Sequence, residues 1–130
     1  MRLIKMQQLP KEHAILRIMA RPSDVNAQGD IFGGWLMSQV DIAGSIVATR
    51  HIKARVVTVA ANNFYFIRPV FVSDVVSIYG QIQKVGTSSI AIDIAVYIER
   101  KVEDDIVVEK VAEAEFVYVK IDELGQAKPI

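Results

Sequence analysis

A chain of 130 residues, 52% of them hydrophobic, can bury a real core but is too short for two ordinary domains, so a single domain over residues 1–130 is expected. Fifteen basic residues balance fifteen acidic ones, which leaves no general field to attract nucleic acid or an anionic membrane; an anionic partner has to be met by a local cluster. The absence of cysteine excludes a disulfide framework, a thiolate nucleophile and cysteine-ligated metal, and suits a reducing cytoplasm, the expected location.

Residues 1–10 lack the continuous apolar centre of a signal peptide, and no uncharged apolar run reaches membrane-spanning length, so a soluble protein is expected. Residues 13–20, with Ile15, Leu16, Ile18 and Met19, read as a first strand stopped by Pro22 and a polar loop. From about Gly34 to Arg50 apolar residues fall nearly all round a helical wheel, from Trp35 and Leu36 to Val47 and Ala48, which predicts a helix buried on every side. Trp35 and the methionines read as core.

After Ala54 the chain turns to β-branched and aromatic residues at short period. Strands are expected at 55–67, 74–85, 89–100 and 106–120, with turns at Arg68-Pro69, Gly86-Thr87 and Glu103-Asp104-Asp105. In the third of these, Ile90, Ile92, Ile94, Val96 and Ile98 alternate with Asp93, Tyr97 and Glu99, which separates a dry face from a wet one. In the last, Ala112, Ala114, Phe116 and Tyr118 face away from Glu113, Glu115 and Val117. The termini, 1–12 and 122–130, are expected to be loose. The fold class is α+β: a long central helix wrapped by a curved antiparallel sheet of about five strands. Such a sheet has a far face and an edge strand in need of cover, for which a homo-oligomer is the natural remedy.

Chemistry is concentrated in Asn26-Ala27-Gln28-Gly29-Asp30-Ile31-Phe32-Gly33-Gly34-Trp35 and the helix that follows, whose one charge before Arg50 is Asp41. Glycines at a helix start let a substrate approach unpaired backbone N–H groups, where the helix dipole favours a developing oxyanion. Close helix packing would explain the same glycine pair. An ionised carboxylate on an apolar helix is costly unless paired or solvated through a cleft. Asp41 is thus a catalytic candidate, with a structural salt bridge to Arg68 or another base as the alternative.

At ~1.5 Å per residue, Gly33 and Gly34 lie about 11 to 12 Å from Asp41 along the axis, whereas a base has to come within ~3 Å of the reacting group. One helix cannot bring both to one carbonyl. If both act, they belong to different subunits. Asn26 reads as a turn residue bonding local backbone or as an amide that orients a carbonyl or a water. The turn Lys84-Val85-Gly86-Thr87-Ser88-Ser89 offers a cation, hydroxyls and backbone N–H groups suited to phosphate, and Arg55, Lys53, Arg68 and His51 are further bases of that kind. His13 and His51 are too isolated to centre a metal site, and no nucleophile motif marks a serine triad.

Asn26 to Asp41, read in register as loop, glycine pair and acid, resembles the hotdog-fold acyl-CoA thioesterases of the YciA type, relatives of the brain acyl-CoA hydrolases. The likeness continues through Arg55-Val56-Val57-Thr58-Val59, Phe66-Ile67-Arg68-Pro69-Val70, Ser73-Asp74-Val75-Val76 and Lys84 to Ile90. It implies metal-independent hydrolysis of acyl-CoA to fatty acid and coenzyme A, with no cofactor beyond the coenzyme A of the substrate. It further implies Asp41 as base or nucleophile, Asn26 in the facing subunit's half of the site, and carbonyl polarisation by the N–H of Gly33 or Gly34. Coenzyme A contacts are expected at Arg55, Thr58, Arg68, Lys84, Gly86, Thr87 and Ser88. The assembly implied is a dimer with shared sites, commonly a trimer of dimers. A hotdog enoyl-thioester hydratase is the first rival, but the histidine such enzymes pair with a carboxylate is missing from loop and helix. A non-catalytic acyl-CoA-binding module is the second, and would need an output domain.

Overall fold

The computed structural model describes residues 7–130, so the expectation of a loose terminus at 1–6 lies outside the described residues. The elements run β1 (Leu16–Met19), a 3-10 turn (Pro22–Asp24), α1 (Gly33–Ile52), β2 (Val56–Phe66), β3 (Val75–Val85), β4 (Ser89–Val102) and β5 (Asp105–Lys120). The first strand is shorter than its apolar pattern suggested. The others start and stop within two residues of their turn signals.

The five strands form one antiparallel sheet in the order β1-β3-β4-β5-β2, and α1 packs against its inner face. The expected alternation holds in β4, where Ile90, Ile92, Ile94, Val96 and Ile98 are all buried beneath the helix while Asp93 is exposed. In β5, Ala112, Ala114, Phe116 and Tyr118 extend the same core. Among the described residues edge strand β2 pairs only with β5, and two register irregularities, one with Asn63 at φ 51°, interrupt the pairing.

The helix ends at Lys53, whose left-handed conformation lets its N–H bond Thr49 O at 2.7 Å. Its buried residues, Leu36, Val40, Ala43, Gly44 and Ala48, recur every three to four positions and form a single stripe. The expectation of burial on every side is therefore corrected. A sheet covers one side of a helix, and Ile42 on the other side is 48% exposed; Met37, near the helix start, is exposed as well. Met19 is likewise exposed and not core.

Several loops are tied into the sheet. The segment 26–32 is held by the Ile31 N–H on Val70 O (3.0 Å) and the Phe32 N–H on Asp24 O (2.9 Å). The C-terminal segment, expected to be loose, turns back on β5: the Lys128 N–H bonds Lys120 O at 2.9 Å, and the Ile130 N–H bonds Thr87 O at 2.8 Å. Its turn is closed by Asp122, whose carboxylate accepts the N–H groups of Leu124 and Gln126 and stands 3.6 Å from Lys128 Nζ. These local bonds supply the order that the sequence pattern did not advertise.

Candidate active site

Asp41 lies two turns into α1, over the inner face of the β2–β5 pair. Its Oδ1 accepts a hydrogen bond from Thr58 Oγ1 on β2 at 2.7 Å. From β5, the Tyr118 hydroxyl reaches the backbone O of Asp41 at 2.8 Å and its Oδ1 at 3.1 Å. Among the described residues no group bonds Oδ2, and no cation pairs with Asp41; the alternative of a structural bridge to Arg68 is not realised.

The carboxylate is half-buried rather than buried. The deeply buried carboxylates are elsewhere: Asp74, 1% exposed, and Asp24, 9% exposed. Asp74 takes a bidentate bond from Arg100, and Asp24 bonds the Arg21 N–H. Asp74 has both oxygens engaged in holding its loop and Asp24 uses Oδ2 within a tight turn, whereas the half-buried Asp41 keeps its Oδ2 open toward the helix surface.

Tyr118 gets so close to the helix because residue 44 has no side chain. A Cβ on Gly44 would collide with the Tyr118 hydroxyl and approach two ring carbons to 3.0 Å. Burial first, then the charge of Asp41 and the hydrogen bond to it, raises the Tyr118 phenol well above its ordinary pKa, so it stays a proton donor. In the sequence Tyr118 lies on the face away from Glu113 and Glu115, and neither it nor Gly44 belongs to a motif that marks a role. The available signal was the glycine itself: one in a helix interior weakens the helix and often marks a close approach.

The glycine pair divides. A Cβ on Gly33 would meet the Phe66 ring at 3.2 Å, so close packing explains that glycine, while a Cβ on Gly34 would meet nothing within 4 Å. The first bond of the helix runs from the Leu36 N–H to Phe32 O, and among the described residues no side chain caps the start. The N–H groups of Gly33 and Gly34 therefore point outward without an intrahelical acceptor, with open space at the second.

Asn26 is a turn residue, as its simpler reading held. Its Oδ1 accepts the N–H groups of Gln28 (2.9 Å) and Asp30 (3.1 Å), and its own N–H bonds Asp30 O at 2.7 Å. Fixing the oxygen also fixes the amide nitrogen, which donates to no described residue. Turn and functional readings are thus compatible.

The residues expected around coenzyme A fall into separate places. Arg55, Lys84, Gly86, Thr87 and Ser88 gather at one end of the sheet, where the Ile121 N–H bonds Arg55 O and the Lys120 N–H bonds Ser88 O. Arg55 there borders a shallow depression that also carries Asp122 and Glu123. The Gly86 N–H is spent on Ser89 O at 2.7 Å, so that donor of the turn is not free for phosphate. Arg68 is at the opposite end, its N–H on Val111 O, near Phe66 and Gly33. Thr58 stands on Asp41. Among the described residues no group of three or more His, Asp or Glu side chains is placed to hold a metal ion, and no helix is long and apolar enough to cross a membrane.

A long helix seated on a five-stranded antiparallel sheet, with a half-open aspartate on the helix and an uncapped glycine start, is the arrangement of a hotdog-fold hydrolase. Residues 28–104 match the thioesterase superfamily, and the chain belongs to that family. It is 45% identical over 126 residues to the acyl-CoA thioester hydrolase YciA of Salmonella typhimurium, covering 96% of this chain and 95% of that one. Among solved structures it resembles a hexameric hotdog fold thioesterase of Campylobacter jejuni (TM-score 0.88, 37% identity, 92% of this chain and 90% of that one). It also resembles the aspartate-to-alanine mutant of a hexameric broad-specificity acyl-coenzyme A thioesterase (TM-score 0.87, 45% identity, 92% and 87% of the two chains).

Proposed function

We propose that this protein hydrolyses acyl-CoA thioesters to the free acid and coenzyme A, with Asp41 as the general base. The observation that carries this reading is the half-open carboxylate, one oxygen held by Thr58 and the other unbonded. In this reading Oδ2 takes a proton from water as the water oxygen bonds the thioester carbonyl carbon. The charge that develops on the carbonyl oxygen is met by the N–H at Gly34, with Gly33 behind it. The C–S bond then breaks, and the departing thiolate takes the proton from Asp41. The Asn26 amide, aimed by its turn, orients the carbonyl or the water.

The axial separation of Gly34 and Asp41 makes the site bipartite. The helix start lies beside Phe66 at the end of β2, and Asp41 lies beside Thr58 near its beginning. Antiparallel pairing of two free β2 edges carries the helix start of one protomer toward the Asp41 of its partner. It also covers Met37 and Ile42. Hexameric relatives support a trimer of such dimers. Arg55, Lys84, Thr87 and Ser88 are the proposed contacts of the nucleotide portion, with Arg68 at the other end of each protomer. The proposed setting is fatty-acid metabolism in the cytoplasm.

The test is release of free thiol from a panel of acyl-CoA chain lengths at neutral pH without added metal. Asp41→Asn should lower the rate about a hundredfold to ten-thousandfold with fold and assembly intact; full activity in that variant would sink the mechanism. Incubation with crotonyl-CoA separates the rival hydratase, which would accumulate a hydroxyacyl thioester instead of thiol.

A further inference from the structure

We infer that Tyr118, admitted beneath α1 by Gly44, is a positioning residue that fixes the Asp41 carboxylate for hydrolysis. The inference rests on the reading of Asp41 as the catalytic group.

The last torsion of an aspartate is soft, so an unrestrained carboxylate turns through a broad range and offers either oxygen. Here two donors from different strands converge on the same oxygen: Thr58 Oγ1 at 2.7 Å and the Tyr118 hydroxyl at 3.1 Å. Together they stop the rotation and leave Oδ2 as the oxygen that works. Tyr118 adds something Thr58 cannot. It is fully buried, and its one proton, shared between the Asp41 backbone O at 2.8 Å and Oδ1 at 3.1 Å, references the carboxylate to the helix that carries it.

Packing alone does not explain the hydroxyl. Phe116, the next inward residue on β5, stacks on Tyr118 with ring centroids 6.4 Å apart and fills the same core without a polar atom. A buried hydroxyl is costly unless bonded, and this one also requires a glycine in the interior of a helix. The fold accommodates two local disadvantages to place one donor at Asp41. A purely structural anchor would need only the backbone O; the bond to Oδ1 gives the hydroxyl a bearing on the chemistry.

The test compares wild type, Tyr118→Phe, Gly44→Ala and Asp41→Asn in thiol release from one acyl-CoA, with rates normalised to folded assembled enzyme. Loss of one hydrogen bond to a charged group should lower kcat of Tyr118→Phe about tenfold or more with KM unchanged. Gly44→Ala, which displaces the hydroxyl, should reproduce that loss. In an Asp41→Asn background Tyr118→Phe should cause no further loss, because its effect passes through Asp41. Unchanged kcat per folded Tyr118→Phe enzyme, or a loss that adds in full to that of Asp41→Asn, would overturn the inference while leaving the proposed function standing. A wild-type protein that releases no thiol from any acyl-CoA would overturn both.

Discussion

Arg100 closes on Asp74 with Nη2 2.6 Å from Oδ2 and Nε 2.8 Å from Oδ1, a bidentate pair joining the turn end of the β4–β5 hairpin to the start of β3. Asp74 also accepts the Phe71 N–H, and the guanidinium lies 4.4 Å over the Phe71 ring. The hydrogen bond to Asp74, working against burial, raises the Arg100 pKa further, so the guanidinium keeps its charge. Arg100 Nη2 also donates to Pro69 O at 3.4 Å, and Val70 O in turn accepts the Ile31 N–H from the loop that begins at Asn26.

Breaking this pair is expected to be expensive for folding. Asp74 is 1% exposed, so Arg100→Met, which leaves it unpaired, should cost about 3 kcal/mol in urea unfolding. Replacing both partners with apolar residues should cost less than the single change. A single-variant cost under about 1 kcal/mol would mean that water reaches the carboxylate and that the pair does not hold the loop.

The two glycines at the helix start should behave differently. Gly34→Ala has open space and replaces a poor helix former, so its thermal midpoint should match or exceed wild type while thiol release falls, because the new methyl group stands where the carbonyl approaches. Gly33→Ala has to push the Phe66 ring back by a few tenths of an ångström and should have a midpoint below that of Gly34→Ala. Equal activity of Gly34→Ala and wild type would remove Gly34 from the oxyanion site.

Asn26→Asp separates turn from chemistry. Aspartate keeps the oxygen that accepts the Gln28 and Asp30 N–H groups, but it loses the amide donor. The variant should unfold at the wild-type temperature and hydrolyse acyl-CoA at least about tenfold more slowly. A rate equal to wild type would confine Asn26 to the turn.

Alkaline pH should expose the burial of Tyr118. Its phenol ionises near 10.0 in the unfolded chain and well above that in the folded protein, so above this pH the unfolded state binds fewer protons. Stability then falls as pH rises, by up to about 1.4 kcal/mol per pH unit from this group. Urea unfolding at a series of pH values should show a shallower decline in Tyr118→Phe, and identical slopes in the two proteins would refute the assignment.

Much of this molecule could be read along the chain, because periodicity is local. Alternation in residues 89–120 separated the two faces of the sheet, since neighbouring strand side chains point oppositely whatever lies beyond them. The separation of the glycine pair from Asp41 could be read for the same reason: their spacing along one helix is a matter of helical rise, and if both act on one carbonyl it calls for two subunits. The turn role of Asn26 was legible because Asn oxygens bond nearby backbone, and such a bond leaves the amide nitrogen free for the role proposed above.

What only the tertiary structure decided are the contacts between distant residues. Tyr118 is 77 positions from Asp41 and Thr58 is 17, and their convergence on one oxygen depends on the pairing of β2 with β5 under α1. Apolar composition could not show that one stripe of α1 meets its own sheet while another stays open, because hydrophobicity does not say which surface covers it. Nor could it distinguish Asp74, closed by Arg100, from Asp41, left half-open, since the cost of burying a carboxylate is settled by partners that only folding brings near.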